Sequence, residues 1–256
     1  MSLLAGLSEQ VVEQGDTDVL GGGGPIDSGI YPFVIRRAYL EKSRGGALGM
    51  TVIGEAKLPG GGTREIKQTE YITSGDAKGN KKFYIREGKS FPLPGYSWGN
   101  NMSLMAAGVP IDSVETATKT IKIWNYEAGM ELDEDREVLV GLTDKTVLAA
   151  IQHRWENKTK LNDASGKYES TFEDDGEPIV KKSNVIDKVF SATTRKTVSE
   201  TLAQGPAAFI DKWDAKYSGK IQDQVSKDKP KGAANNGSLT GSPAAAPAPE
   251  VSLFTS

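Results

Sequence analysis

The sequence predicts a mainly β domain carrying a few helices, and three observations carry that prediction. Runs rich in aromatic and β-branched residues recur between clear turn signals from Gly29 onward. The 29 glycines and 12 prolines supply many turns. Helical patterning stands out in two places, one after Pro94 and one ending at Tyr217, while the apolar pieces of 1–24 allow a weak helix and Ala149-Ala150 leave a helix open over 146–155.

Residues 1–24 hold short apolar pieces (Leu3, Leu4, Leu7, Val11, Val12) ahead of four consecutive glycines, and read as a flexible acidic arm. No Lys-Ser/Thr follows the glycines, so a linker is favoured over a phosphate loop. Gly29–Lys42 reads as a strand, with Pro32 at its start or on an edge. Residues 47–58 alternate at Leu48, Met50 and Val52 and then slip phase at Ile53-Gly54, as a bulge would produce. Pro59 and three glycines turn the chain into a third strand, 63–73, which ends in the loop 74–80. Residues 81–89 interleave cations with rings, and Phe91-Pro92-Leu93-Pro94-Gly95 forms a rigid turn. Ser97 is the expected N-cap of a short helix that stops at Gly108.

An irregular acidic connector then holds a strand-like piece around Ile121, Ile123 and Trp124. Residues 137–142 and 146–155 read as two more strands, 156–182 as a protruding hairpin or loop, and 184–190 as a return to the body. Residues 197–218 read as one helix, with Pro206 in its first turn and Gly219 as its stop. The order β-β-β-α-β-β is that of an OB-fold-like five-stranded barrel, provided that 82–86 extend the third strand. To it are added the extra hairpin, the C-terminal helix and a disordered tail. The expected organisation is therefore an arm over 1–24, a domain over 25–225 and a tail over 226–256. The tail cannot bury enough surface to fold, yet it ends in Val251, Leu253 and Phe254, which read as a docking tip for a partner protein.

Composition removes several function classes. With no cysteine there is no disulfide and no thiolate metal site. His153 is the single histidine, so a Ser-His-Asp triad would have to be built on it. No apolar run reaches the ~18 residues of a membrane span, and residues 1–6 lack the pattern of a signal peptide. A cytosolic protein without metal or cofactor is expected. The net charge is −3, but it is segregated. Residues 1–28 carry five acids and no cation, 57–89 carry eight cations against four acids, and 111–137 carry eight acids against three cations. Phosphate binding depends on the field within a Debye length of ~10 Å, so the negative sum is no veto.

Cations that neutralise phosphates beside flat rings on which bases stack are what a single-stranded nucleic-acid groove requires. The candidate phosphate contacts are Lys67, Lys81, Lys82, Arg86 and Lys89, with Arg36, Arg37 and Arg154 behind them. The candidate stacking rings are Tyr71, Phe83, Tyr84, Tyr96 and Trp98, each weighed against a half-buried core role. A two-metal nuclease would want acids on strand ends in a basic surround. Asp133-Glu134-Asp135 and Glu173-Asp174-Asp175 read instead as polar loops, so no enzyme is expected.

The run FPLPGYSWGNNMSLMAAG resembles a segment of phage-encoded single-stranded DNA-binding proteins of podovirus type. The resemblance takes in Tyr71-Ile72-Thr73-Ser74 and GNKKFY upstream, and Lys145 to Trp155, residues 184–190 and PAAFIDKWDAKYSGK downstream, covering roughly 29–225. It implies a barrel that coats single-stranded DNA in phage replication and recombination, in the cytoplasm of the infected bacterial host. Its implied partners are replication or recombination proteins and an RNA polymerase, met through the tail, with self-association on DNA left open. The chain departs from the pattern at its end, where only Glu250 and the terminal carboxylate are acidic. The reading kept beside it is a structural or scaffolding phage protein that pairs subunits and binds no nucleic acid.

Overall fold

The computed structural model describes residues 24–125, 128–162 and 166–227. Its frame is a curled half-barrel sheet, built outward from one long strand, β1 (Gly29–Lys42). β1 pairs along one edge with β2 (Leu48–Lys57), which pairs in turn with β3 (Thr63–Tyr71). A bulge at Arg36 sits opposite Ile53-Gly54, where the sequence slips phase, and such an extra residue bends a strand and increases its twist. Gly54 is required at this bend, because a Cβ there would lie 2.5 Å from both the Phe33 ring and the Val34 carbonyl. Pro32 precedes the β2 ladder, which begins at Phe33, so its missing N–H breaks no pairing on that side.

After β3 the chain forms a separate two-stranded ribbon, β4 (Phe83–Arg86) and β5 (Lys89–Pro92), instead of extending the third strand. Glu87 and Gly88 close it with φ of 53° and 75°, the left-handed pair that a tight hairpin turn demands. The rigid turn expected over 91–95 is accordingly split: Phe91 and Pro92 end β5, and Pro94 opens helix α1 (Pro94–Ala107). Leu93 is the N-cap and Ser97 lies inside the first turn, since Pro94 with its fixed φ starts the helix a turn earlier than expected. Gly95 lets α1 sit against β3, for a Cβ there would lie 2.2 Å from the Tyr71 carbonyl oxygen. Gly108 at φ 75° ends the helix, as expected.

The acidic connector is a second long hairpin, β6 (Ala117–Asn125) and β7 (Met130–Val138), whose ladder to β1 is confined to Val138 and Glu137. The strand expected over 137–142 is thus displaced: β7 ends at Val138, and 140–142 form a 3-10 turn. β8 (Thr146–Asn157) pairs with β1, and β11 (Val180–Ser191) pairs with β8. Between them β9 (Thr159–Asn162) and β10 (Lys167–Ser170) form the expected protruding hairpin. The expected single helix over 197–218 is two, α2 (Val198–Leu202) and α3 (Phe209–Tyr217), with Pro206 between them and not in a first turn. A short strand, β12 (Ile221–Asp223), which no sequence pattern marks, runs parallel to β8.

Alternation along β8 sorts two cores. Val147, Ala149 and Ile151 join Phe33, Met50, Val52 and Met102 between the sheet and α1. Leu148 and Ala150 face the other way, where Phe190, Ile210 and Trp213 bury α3. Burying a side chain of that size stabilises by roughly 1.5–3 kcal/mol. Trp213 also donates its indole N–H to Asp187 at 2.7 Å.

Candidate nucleic-acid interface

Three surface features hold the cations and rings. The first is the β4–β5 ribbon. Its register puts Tyr84, Phe91, Arg86 and Lys89 on one face, and Phe83, Pro92, Ile85 and Ser90 on the other. Every residue of both strands is exposed. Tyr84 stacks on Phe91 with centroids 5.7 Å apart, and the Lys81 ammonium lies 5.9 Å from the Phe83 centroid. At the ribbon base Lys82 sits 5.0 Å from the centroid of the half-buried Tyr96 ring, 3.4 Å from its hydroxyl and 3.6 Å from Asp112. The Tyr96 hydroxyl and Asp112 hold the Lys82 ammonium above its usual pKa, so it stays charged. Two strands with no sheet behind them are marginal in water, and here both faces carry large rings or aliphatics. A partner that covers them is energetically favoured.

The second feature is the outer face of β1–β3. Register aligns Arg37, Ile53 and Lys67 in one row and Glu41, Gly49 and Tyr71 in another. The Tyr71 ring lies over Gly49 and keeps half its surface open. Arg37 donates to the Lys122 carbonyl at 3.4 Å. Arg36, thrown outward by the bulge, is held by Glu55 and Asp144 at 2.9 Å each, so its charge is already matched.

The third feature is the open seam of the half-barrel. β3 and β11 end the sheet order and face one another without a ladder. Gln68 spans the gap: its Oε1 accepts from the Ile186 N–H at 2.7 Å and its Nε2 donates to the Ile186 carbonyl at 3.3 Å. The Trp98 indole N–H donates to the same carbonyl at 3.0 Å. Two hollows meet at this bridge. One, of about 530 Å³, is lined by five cations (Arg64, Lys67, Arg154, Lys181, Lys182) against Glu65, Glu70 and Glu156. Within it the Lys182 ammonium lies 4.7 Å from the Trp155 centroid, and Lys181 pairs with Glu156 at 3.8 Å. Arg154 donates to Gln152 through Nη2, while its Nε and the Ser183 Oγ are buried without a hydrogen-bond partner among the described residues. The other hollow, of about 740 Å³, lies among α1, β11, α2 and α3, with Trp98, Val189 and Phe209 on its wall.

The structure therefore gathers Lys81, Lys82, Phe83, Tyr84, Arg86, Lys89 and Tyr96 at the ribbon, and Lys67 with Arg154 at the seam groove. Arg37 and Tyr71 lie on the sheet face. Trp98 turns inward to the seam, and Arg36 stands apart in its ion pairs. Val251, Leu253 and Phe254 lie outside the described residues. Phe91 and Ile85 of the ribbon, and Arg64, Lys181 and Lys182 of the groove, were not singled out by sequence. Lys181-Lys182 follow Ile179-Val180, so cations beside apolar residues were the available signal. Asp133, Glu134 and Asp135 lie on β7 and not in a loop. Among the described residues no group of three or more His, Asp or Glu is arranged to hold a metal ion, and no helix is long and apolar enough to cross a membrane. Comparisons of the chain with models of protein families, with characterised proteins and with solved structures give no match.

Proposed function

We propose that the protein binds single-stranded DNA without sequence specificity, coating it during phage replication and recombination. The observation that carries this reading is the ribbon, an exposed two-stranded element offering stacked rings and four cations with no sheet of its own to pack on. Phosphates meet Lys81, Lys82, Arg86 and Lys89 there, and bases stack on Tyr84, Phe91 and Phe83. Lys67 and Tyr71 continue the path over β3 toward Arg154 in the seam groove. Arg36, Arg37, Tyr96 and Trp98 position this surface more than they touch the strand.

The fold supports the same reading. The order β11-β8-β1-β2-β3, with a helix after a three-strand meander and β3 opposite β11, fits an oligonucleotide-binding barrel whose last pairing is reduced to the Gln68 bridge. No catalytic role is assigned. Work in the host cytoplasm and recruitment of replication, recombination or transcription proteins through Val251, Leu253 and Phe254 belong to the proposal. A structural or scaffolding role is favoured by one other feature, the β6–β7 arm, which leaves Trp124 and Met130 about half exposed. Titration with poly-dT at two salt concentrations separates the two. A DNA binder loses affinity steeply as salt rises. No signal at any salt would leave the scaffold.

A further inference from the structure

The seam groove is where the chain before residue 24 arrives. Pro25 lines it, and Arg64 donates to the Gly24 carbonyl at 2.5 Å. Ile26 is pinned to β11 by the Asn184 side chain, which accepts from its N–H at 2.9 Å and donates to its carbonyl at 2.8 Å. The chain thus leaves the described structure from the mouth of a groove with more cations than acids. Residues 1–23 carry four acids, Glu9, Glu13, Asp16 and Asp18, and no cation. Asp18 is separated from Gly24 by residues 19–23, so the chain can carry it no further than ~20 Å from Gly24, at up to ~3.6 Å per residue. Residues 64–70 of β3, which form one wall, span a similar ~20 Å at ~3.3 Å per residue. The groove also keeps a buried donor, Arg154 Nε, that has no acceptor among the described residues.

We propose that the acidic residues 9–18 dock in this groove of their own chain and hold its cations until a nucleic-acid phosphate displaces them. The displacement half rests on the DNA-binding reading; the docking half does not. Two things support the occupant: the groove offers charge of the opposite sign, and the arm is tethered at its mouth. A short tether gives an effective concentration in the millimolar range, so weak carboxylate–cation contacts suffice. The contact is screened by salt in the same way as phosphate binding.

Two measurements on the full chain test it. Zero-length coupling with a carbodiimide joins a carboxylate to an amine as an amide, with loss of water, where the two already touch. Without DNA, mass spectrometry is expected to find residues 9–18 joined mainly to Lys67, Lys181 and Lys182. Lys119, Lys196 and Lys216, which lie elsewhere, should be joined little, and mixing isotopically light and heavy protein should show the links within one copy. An even spread over all lysines, or links between copies, would overturn docking. In the second measurement Glu9→Gln, Glu13→Gln, Asp16→Asn and Asp18→Asn are combined in one variant. That variant is expected to bind a dT oligomer about fivefold more tightly at low salt, with the gain vanishing at high salt, and the oligomer should suppress the wild-type links. Unchanged affinity, or links that persist with DNA bound, would overturn the displacement. A protein that binds no oligomer at all would defeat the DNA reading while the coupling result still decides whether the arm docks.

Discussion

A single side chain, Gln68, stands in for a strand ladder between β3 and β11. Its amide satisfies the Ile186 N–H and carbonyl together, and Trp98 adds a second donor to that carbonyl. Gln68→Leu is expected to lower stability by about 1–3 kcal/mol, because a buried amide N–H loses its acceptor. An unchanged denaturation midpoint would show the seam is held otherwise. Trp98→Phe should likewise cost stability and leave DNA affinity nearly as it was. Tyr84→Ala should reverse that pattern, costing about 1–3 kcal/mol of binding per stacked base and little stability, since its ring lies on the surface. A Trp98 variant that lost affinity and kept its midpoint would exchange the two roles. At this scale the sequence was partly legible. It marked which rings sit beside cations, but helix phase decides where each ring points. Starting α1 at Pro94 turns Trp98 toward the seam, and no local pattern announces that Gln68 will bridge strands more than a hundred residues apart.

At the scale of elements, β1, β2, β3 and β8 were legible because runs rich in aromatic and β-branched residues lie between turn signals. In the sequence β11 reads only as a return to the body over 184–190, and in fact it starts at Val180. The ribbon and the β6–β7 arm were harder to read, for they bury little. The ribbon makes a sharp prediction. All of its strand residues are exposed, so replacing 84–91 with a short Gly-Ser turn should leave the melting temperature nearly unchanged and abolish most DNA affinity. Retained affinity would move the interface to the seam and sheet face. The join between α2 and α3 makes another. Burial pushes the Glu200 carboxyl up, but bonds from the N–H groups of Thr197, Phe209 and Ala208 outweigh it and hold its pKa below the usual value. A depressed carboxyl stabilises the fold above its unfolded pKa, and that contribution fades as pH falls through the folded one. Glu200→Gln should therefore melt below wild type at pH 7, by a gap that closes as the pH is lowered through the acid range. A gap that stayed constant with pH would mean the loss is one of shape and not of charge.

At the scale of the whole molecule, the net charge of −3 would suggest repulsion from DNA. The structure sets the charges apart, because the acids of β7 ride on an arm whose ladder to β1 is confined to Val138 and Glu137. The ribbon and seam groove keep their own local excess of cations, which is all that a screened field transmits. Arg36 drops out of the count, since Glu55 and Asp144 already neutralise it. If Lys67, Lys81, Lys82, Arg86, Lys89 and Arg154 each displace one counterion, six phosphates are neutralised and the log–log salt slope on single strands should be about −4.2. Lys81→Ala with Arg86→Ala should reduce its magnitude by about 1.4 and weaken binding alike on all mixed sequences. Making the same change at Lys227 and Lys229 should do much less. Stacking adds a term that salt does not screen and that paired bases cannot offer, so single strands should bind more tightly than duplex at every salt. Equal affinity for both would remove the rings from the interface, and a slope shallower than about −1 would remove the cations.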